Sequence, residues 1–245
     1  MIKFFKRIRQ RMIKENRFSR YMLYAIGEIV LVVIGIMIAL QVNNLNEQNK
    51  AERLAVDYKI MVKSDLQRDT AFYKDYIRYM EEEMVKWNRL KEWVTSSNAN
   101  LDTLIYINKN EFNFFLRTFQ DFNLGAYNTI DAAGDWSVFT KAFTQDITAL
   151  RVLQTEAKKQ IELQFAIYAS SLNDHGKNYP GDKSFIMISN GPLNEYLWSH
   201  LNKTEYVKSF NGAATSRATY FRTTIAETQR LLNNTEDFLL THFEK

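Results

Sequence analysis

The chain has 245 residues, 46% of them hydrophobic and 24% charged, a composition typical of a folded protein. Its 8 glycines and 2 prolines permit long uninterrupted helices, and the absence of cysteine excludes disulfides, thiolate metal sites and a cysteine nucleophile. The net charge of +4 comes from residues 1–20, because the rest of the chain is nearly neutral. We therefore predict that the folded part does not bind nucleic acid.

Residues 1–20 form a basic segment that precedes the most apolar part of the chain. Its eight basic side chains are Lys3, Lys6, Arg7, Arg9, Arg11, Lys14, Arg17 and Arg20. Phe5, Ile8 and Met12 recur among them at helical spacing, so we predict an amphipathic segment on the anionic inner leaflet of a membrane. Each basic residue would contribute about 1 kcal/mol to this binding. The alternative is that these charges only orient the next helix during insertion.

Residues 21–43 are predicted to form a transmembrane helix. The run from Tyr21 to Val42 carries a single charge, on Glu28, and as a helix it spans roughly 33 Å, close to the ~30 Å hydrocarbon core of a bilayer. A cleavable signal peptide would have a shorter apolar run that ends in small residues. Because the basic residues precede the helix, we predict a cytoplasmic N-terminus, insertion in the inner (cytoplasmic) membrane and a periplasmic domain at 44–245.

One face of this predicted helix carries Glu28, Gly35 and Ala39, separated by steps of 7 and 4 residues. Gly35 and Ala39 form a pair of small residues four positions apart, a pattern found where membrane helices pack closely. We predict that this face contacts another membrane protein or a second copy of the chain. A proton-relay role for Glu28 is less favoured, because it is a lone carboxylate on a lone helix.

The first 48 residues also carry a recognisable set of short motifs. These are Lys3-Phe4-Phe5, Ile8-Arg9, Glu15-Asn16, Phe18-Ser19, Tyr24-Ala25-Ile26-Gly27-Glu28 and the run from Gly35 to Asn44. In these motifs the segment resembles an uncharacterised family of single-pass membrane proteins of Bacteroidota, a domain of unknown function. The resemblance implies inner-membrane placement and an outer helical domain, and it supplies no catalytic residue.

Beyond the membrane segment, apolar residues recur every three or four positions over about 47–94, 137–172 and 214–243, which predicts three long amphipathic helices. Shorter helical pieces are expected within 101–133 and from Pro192 to about Leu201. Gly134 is predicted to end a helix, and Asp135 or Ser137 to cap the next one. The predicted fold class is all-α, with one N-terminal transmembrane helix followed by an elongated extracytoplasmic helical bundle.

Two polar stretches of this domain invite a functional or a neutral interpretation. Glu81-Glu82-Glu83 point in several directions around a helix, and we expect a solvated face. Residues 173–191 are rich in helix breakers and are predicted to form a loop, in which His175, Tyr179 and Asp182 could contact a partner. A long surface connection without a role is the alternative.

No catalytic motif stands out. The three histidines, His175, His200 and His242, lie far apart in the sequence, and no G-x-S-x-G, P-loop or dinucleotide-binding pattern occurs. We therefore predict no catalytic residues, no cofactor and no metal site. The leading hypothesis is that the chain is a membrane-anchored periplasmic interaction or scaffold protein, such as an accessory subunit of an envelope complex. The alternative is a ligand-sensing helical bundle that signals through a membrane partner.

Overall fold

The structure, a computed structural model, describes residues 18–112, 115–179 and 187–244. The described residues are 86% helical and contain no strand, so the predicted all-α class is confirmed. Among the described residues, the α-helices are α1 (Phe18–Val94), α2 (Leu101–Asn110), α3 (Gly125–Ala133), α4 (Lys141–Asn178), α5 (Gly191–Ser199) and α6 (Lys203–Phe243). A short 3-10 helix, Asp135–Val138, lies between α3 and α4.

The chain divides into two units, Met1–Asp57 and Tyr58–Lys245. In the first unit, helix α1 is long and apolar enough to cross a membrane, and among the described residues it is the single helix with this property. None of the side chains in its most apolar window is buried. Large apolar side chains such as Leu31 (72% exposed) and Leu23 (71% exposed) therefore lie on its surface.

In the second unit, α4 and α6 pack along each other in opposite directions. His242 Nε2 lies 2.8 Å from the Asp146 carboxylate at one end of this helix pair. At the other end, His175 Nδ1 lies 2.8 Å from the Ser209 hydroxyl. Contacts that join the start of one helix to the end of the other require the antiparallel arrangement.

The part of α1 that belongs to the second unit completes a three-helix bundle. The Trp87 indole N–H donates to the backbone carbonyl of Ala214 on α6 at 3.0 Å, and Lys74 pairs with Glu236 at 2.7 Å, so α1 runs antiparallel to α6. One buried cluster of the core between the helices is mostly aromatic and contains Tyr76, Met80, Ile161, Tyr168, Tyr220 and Phe221. Large rings such as these contribute most of the apolar area that a bundle of three helices can bury.

Residues 115–124 form no helix, although shorter helical pieces were predicted within 101–133. The segment lies against α1 instead, where the Phe119 ring packs edge-on to Phe72 at 5.2 Å and to Tyr76 at 5.4 Å between ring centroids. The backbone N–H of Asn123 donates to the Asp69 carboxylate at 2.9 Å. Side chains of α1 thus replace the hydrogen bond that a helix would have supplied.

Some of the predicted helix ends agree with the structure, and others differ. Helix α1 ends at Val94, Gly134 ends α3 with φ +71°, and Pro192 lies in the first turn of α5. Helix α4, however, begins after Thr140, whose hydroxyl accepts from the backbone N–H of Phe143 at 3.3 Å. Asp135 and Ser137, the predicted caps, belong to the 3-10 helix.

Helix α6 is longer than predicted, because it begins at Lys203 rather than near residue 214. The Asn202 side chain caps this end by accepting from the backbone N–H of Glu205 at 3.2 Å. Gly212 lies inside the helix, where a glycine costs about 1 kcal/mol relative to alanine. Buried apolar residues on both sides of it, Phe210 and Ala213, show that packing outweighs this cost.

Candidate functional site

The predicted contact face of helix α1 is exposed within the first unit. Glu28, Gly35 and Ala39 are all exposed, and a Cβ atom added to Gly35 would meet no atom within 4 Å. At roughly 100° per residue, the three positions fall within about 40° of one another around the helix. Of the predicted lipid-binding residues, those from Lys3 to Arg17 lie outside the described residues, and Arg20 lies in helix α1.

The prediction that residues 173–191 form a loop that contacts a partner is wrong at the N-terminal end of this range. Helix α4 continues to Asn178, and His175 on it is only 1% exposed. Its ring packs against Tyr206 and Phe210 of α6, each 5.6 Å away between ring centroids. Tyr179 is also buried, at 8% exposure, whereas Asp182 lies outside the described residues.

Helix α4 continues through the helix-breaking residues near its C-terminal end because the buried side chain of His175 packs on α6. Burial lowers the pKa of His175 to about 4, so the imidazole is neutral near pH 7. Its Nδ1 atom is bonded to Ser209, while its buried Nε2 atom has no hydrogen-bond partner among the described residues. The residue therefore helps to hold α4 against α6 and does not present a charged contact to a partner.

The second unit contains an open groove of about 690 Å³. Its walls come from the last turns of α1, the start of α2 and the middle of α6. A buried cluster of Ile107, Phe112 and Phe210 forms its base, and half-buried apolar residues, among them Leu90 and Leu104, surround that cluster. Ligand sites in proteins have about this volume and this apolar character.

The charged side chains of this groove are all basic among the described residues that line it. Lys91 lies on the α1 wall, with its ammonium 5.5 Å from the centre of the Trp87 ring, and Arg222 lies on the α6 wall. Both are exposed, and neither forms an ion pair in the described part of the chain. Uncharged hydrogen-bonding side chains, including Asn211, Thr215 and Thr219, complete the α6 wall.

Sequence reasoning did not identify Lys91 and Arg222. They are 131 positions apart, and each was one exposed basic residue among many on the predicted helices. The available signal was the position of Trp87, Leu90 and Val94 on one stripe, which indicated an apolar face at the end of α1. Nothing in the sequence indicated that α6 would face this stripe across an open space.

A buried ion pair between Glu83 and Arg217 lies near the groove. It corrects the prediction that Glu81, Glu82 and Glu83 all lie on a solvated face. Glu83 is 4% exposed, and its carboxylate accepts from the Arg217 guanidinium at 2.9 Å and from Lys86 at 2.7 Å. The guanidinium also lies 4.6 Å from the centre of the Phe112 ring. Only Glu81 and Glu82 occupy the solvated face that was expected for all three glutamates.

A second buried polar group joins α1 to α4 in the middle of the bundle. The Gln154 amide donates to the Tyr73 hydroxyl at 3.1 Å and to the Asp69 carboxylate at 3.3 Å. Burial raises the pKa of Asp69, although hydrogen bonds from Asn123 oppose the shift, and burial lowers the pKa of Arg151. These side chains bond mainly to one another and to the segment 115–124, so they act as structural links.

No group of three or more metal-ligating side chains comes together within residues 18–112, 115–179 and 187–244. The class defined by the structure is therefore an all-α protein with one helix of membrane-crossing length and a helical domain that contains an apolar groove with a basic rim.

The chain belongs to a family of unknown function (DUF6090), whose model matches residues 28–179. The match begins inside the apolar part of α1 and continues just past the end of α4. The predicted membership of an uncharacterised family is thus confirmed. No curated protein and no solved structure matches the chain.

Proposed function

We propose that this protein is an accessory or scaffold subunit of a membrane complex in the cell envelope, held in the inner membrane by α1. Its N-terminus lies in the cytoplasm and its helical domain in the periplasm, since the basic residues precede the apolar run. The observation that supports this proposal best is the uncovered apolar surface of α1, which has no buried side chain in its most apolar window. Such a surface requires lipid or another membrane helix as its neighbour.

The proposed contact with a partner is made by the face of Glu28, Gly35 and Ala39. Gly35 leaves room for a close approach, because nothing in the chain lies within 4 Å of its added Cβ atom. Small residues allow two helix backbones to come near each other, and van der Waals packing then stabilises the pair in lipid. The partner we propose is another membrane-spanning helix, from a different protein or from a second copy.

Affinity purification after crosslinking in native membranes tests this proposal. We expect the full-length tagged protein to retain a partner in fixed ratio and the variant Gly35→Leu to lose it. Val30→Leu is the matched control, because position 30 lies roughly 140–160° around the helix from Gly35 and Glu28. Recovery of the protein alone, or equal losses in both variants, would contradict the proposal.

The chain offers a sharper form of the same experiment, because it contains no cysteine. A single cysteine in place of Ala39, labelled with a thiol-reactive photocrosslinker, should crosslink to a partner helix or a second copy, and a labelled cysteine in place of Met37, on the opposite face, should not. The mass of the crosslinked product then separates self-association from contact with a different protein.

The groove favours a second candidate function, that of a ligand-sensing bundle which acts on a membrane partner. A ligand that binds between α1, α2 and α6 would stabilise one arrangement of these helices over another, and only such a difference in affinity can pass a signal. We expect a bound ligand in that case to change the yield of the Ala39→Cys crosslink. An unchanged yield at saturating ligand would leave the scaffold function as the better proposal.

A further inference from the structure

We propose that the groove between α1, α2 and α6 is a binding site for a small, water-soluble amphipathic anion, with an apolar body and a single carboxylate, sulfonate or similar head group. This inference goes beyond the proposed function, because it needs no membrane partner. It depends on three features of the groove: its size, its apolar base and the sign of its rim charges.

The size and the base select the body of the ligand. A groove of about 690 Å³ falls within the range that encloses a drug-sized molecule. Half-buried Leu90, Val94 and Leu104 offer an uncharged surface above the buried cluster, and a ligand that covers it removes apolar area from water. The Trp87 indole is fixed by its bond to Ala214 and adds a preformed flat wall.

The rim selects the head group. Lys91 and Arg222 approach the groove from two different helices, and no carboxylate occurs among the described residues that line it. Beside an apolar surface, a charge-assisted hydrogen bond is about twice as strong as one between neutral groups. An anion between the two basic residues would gain these bonds, whereas a cation would meet like charges.

We commit to a soluble anion rather than a bilayer lipid, because the groove volume matches a molecule with one compact apolar body. A two-chain lipid, a partner helix and a second copy of the chain are the other possible occupants. Each of them has its own outcome in the experiment below.

The experiment measures the binding of decanoate to the full-length protein in nanodiscs of phosphatidylcholine, with empty nanodiscs as the reference. Decanol and decyltrimethylammonium are the matched neutral and cationic ligands. We expect decanoate to bind about tenfold more tightly than either of them, the difference made by one or two hydrogen bonds to charged groups. The change in tryptophan emission that decanoate causes by covering the indole should disappear in Trp87→Phe if the ligand lies in this groove.

The double variant Lys91→Glu, Arg222→Glu provides the decisive comparison. We expect it to lose its preference for decanoate and to prefer decyltrimethylammonium, a reversal that a change in stability alone would not produce. Thr215→Trp, which places a large ring in the groove at an exposed position, should weaken all three ligands. Both variants replace surface side chains, so their thermal unfolding checks that the domain is intact.

Four results would overturn the inference. Equal binding of decanoate and decanol would show that the rim charges do not select the ligand. An unchanged preference in the charge-reversed variant would place the site elsewhere. Loss of decanoate binding in nanodiscs that contain anionic lipid would identify a bilayer lipid as the occupant. A crosslink of a single cysteine at Thr215 to a second copy or to a partner helix would show that protein covers the groove.

Discussion

Helix α1 contains two parts with opposite chemistry. From Met22 to Val42 it is apolar on every side, and its large side chains are exposed. From Tyr58 to Val94 its apolar residues follow a stripe, and Tyr73, Tyr76 and Met80 on that stripe are fully buried. Both parts are continuous helix, so backbone hydrogen bonding does not distinguish them. The difference lies in what surrounds the side chains: other parts of the chain pack on the second part, whereas nothing in the chain covers the apolar side chains of the first.

The comparison predicts that equivalent substitutions in the two parts affect different properties. In the second part they should lower the free energy of unfolding of the helical domain, because they remove contacts within the chain. In the first part they should leave that free energy unchanged, because no contact within the chain is lost.

Glu83→Gln should destabilise the domain by about 3–5 kcal/mol, since it leaves the buried Arg217 guanidinium without its carboxylate. Glu82→Gln is the matched control, because it changes an exposed neighbour on the same helix and should cost less than about 0.5 kcal/mol. Urea unfolding of the full-length protein in mild detergent, followed by circular dichroism, measures both values. Equal midpoints for the two variants would show that the buried ion pair does not stabilise the bundle.

Leu66→Ala should cost about 2–5 kcal/mol, because Leu66 is fully buried and its truncation leaves a cavity. Ile34→Ala removes a side chain of similar size from the apolar part, where Ile34 is 46% exposed. We expect it to leave the unfolding midpoint of the domain unchanged. A large loss of stability in Ile34→Ala would contradict the division of α1 into two parts.

A pH titration of stability tests the same distinction, because the three histidines all lie outside the apolar part. The pKa of His175 is about 4 in the folded state, below the unfolded value of 6.5, so only the unfolded state takes up a proton between these values. The contribution of His175 is therefore complete above pH 6.5 and is lost as the pH falls towards 4, by up to about 3 kcal/mol. His175→Gln should remove this part of the slope, and an identical slope in both proteins would show that His175 does not cause it.

The sequence was sufficient for the features that depend on local pattern. The apolar run, the end of α1 at Val94, the turn at Gly134 and the helix at Pro192 all follow from residues that are neighbours in the chain. It was not sufficient where a distant side chain decides the outcome. His175 was placed in a loop because of the breakers beside it, yet its contact with Ser209, 34 positions away, extends the helix.

The groove shows the same limit. Each of its walls was visible in the sequence as an amphipathic helix, but an open space arises only where two faces meet imperfectly, and periodicity does not determine that. Glu83 likewise could not be separated from Glu81 and Glu82 by charge or spacing. Its burial depends on Arg217, which lies 134 positions further along the chain.

Asp65 gives the smallest of the predicted effects and tests how α1 holds a segment that is distant in sequence. Its carboxylate accepts from the backbone N–H of Ala126 at 2.7 Å, in the first turn of α3, where Leu124 at the cap position supplies no side-chain hydrogen bond. Asp65→Ala should therefore lower the free energy of unfolding by about 1–2 kcal/mol, the usual value of a lost helix cap. Asp57→Ala, at an exposed position of the same helix, is the control and should leave the free energy of unfolding almost unchanged. Hydrogen exchange of the Ala126 amide should accelerate in Asp65→Ala alone. If it accelerates equally in both variants, α3 is held by its apolar contacts, such as those of Ile130, and not by a carboxylate from α1.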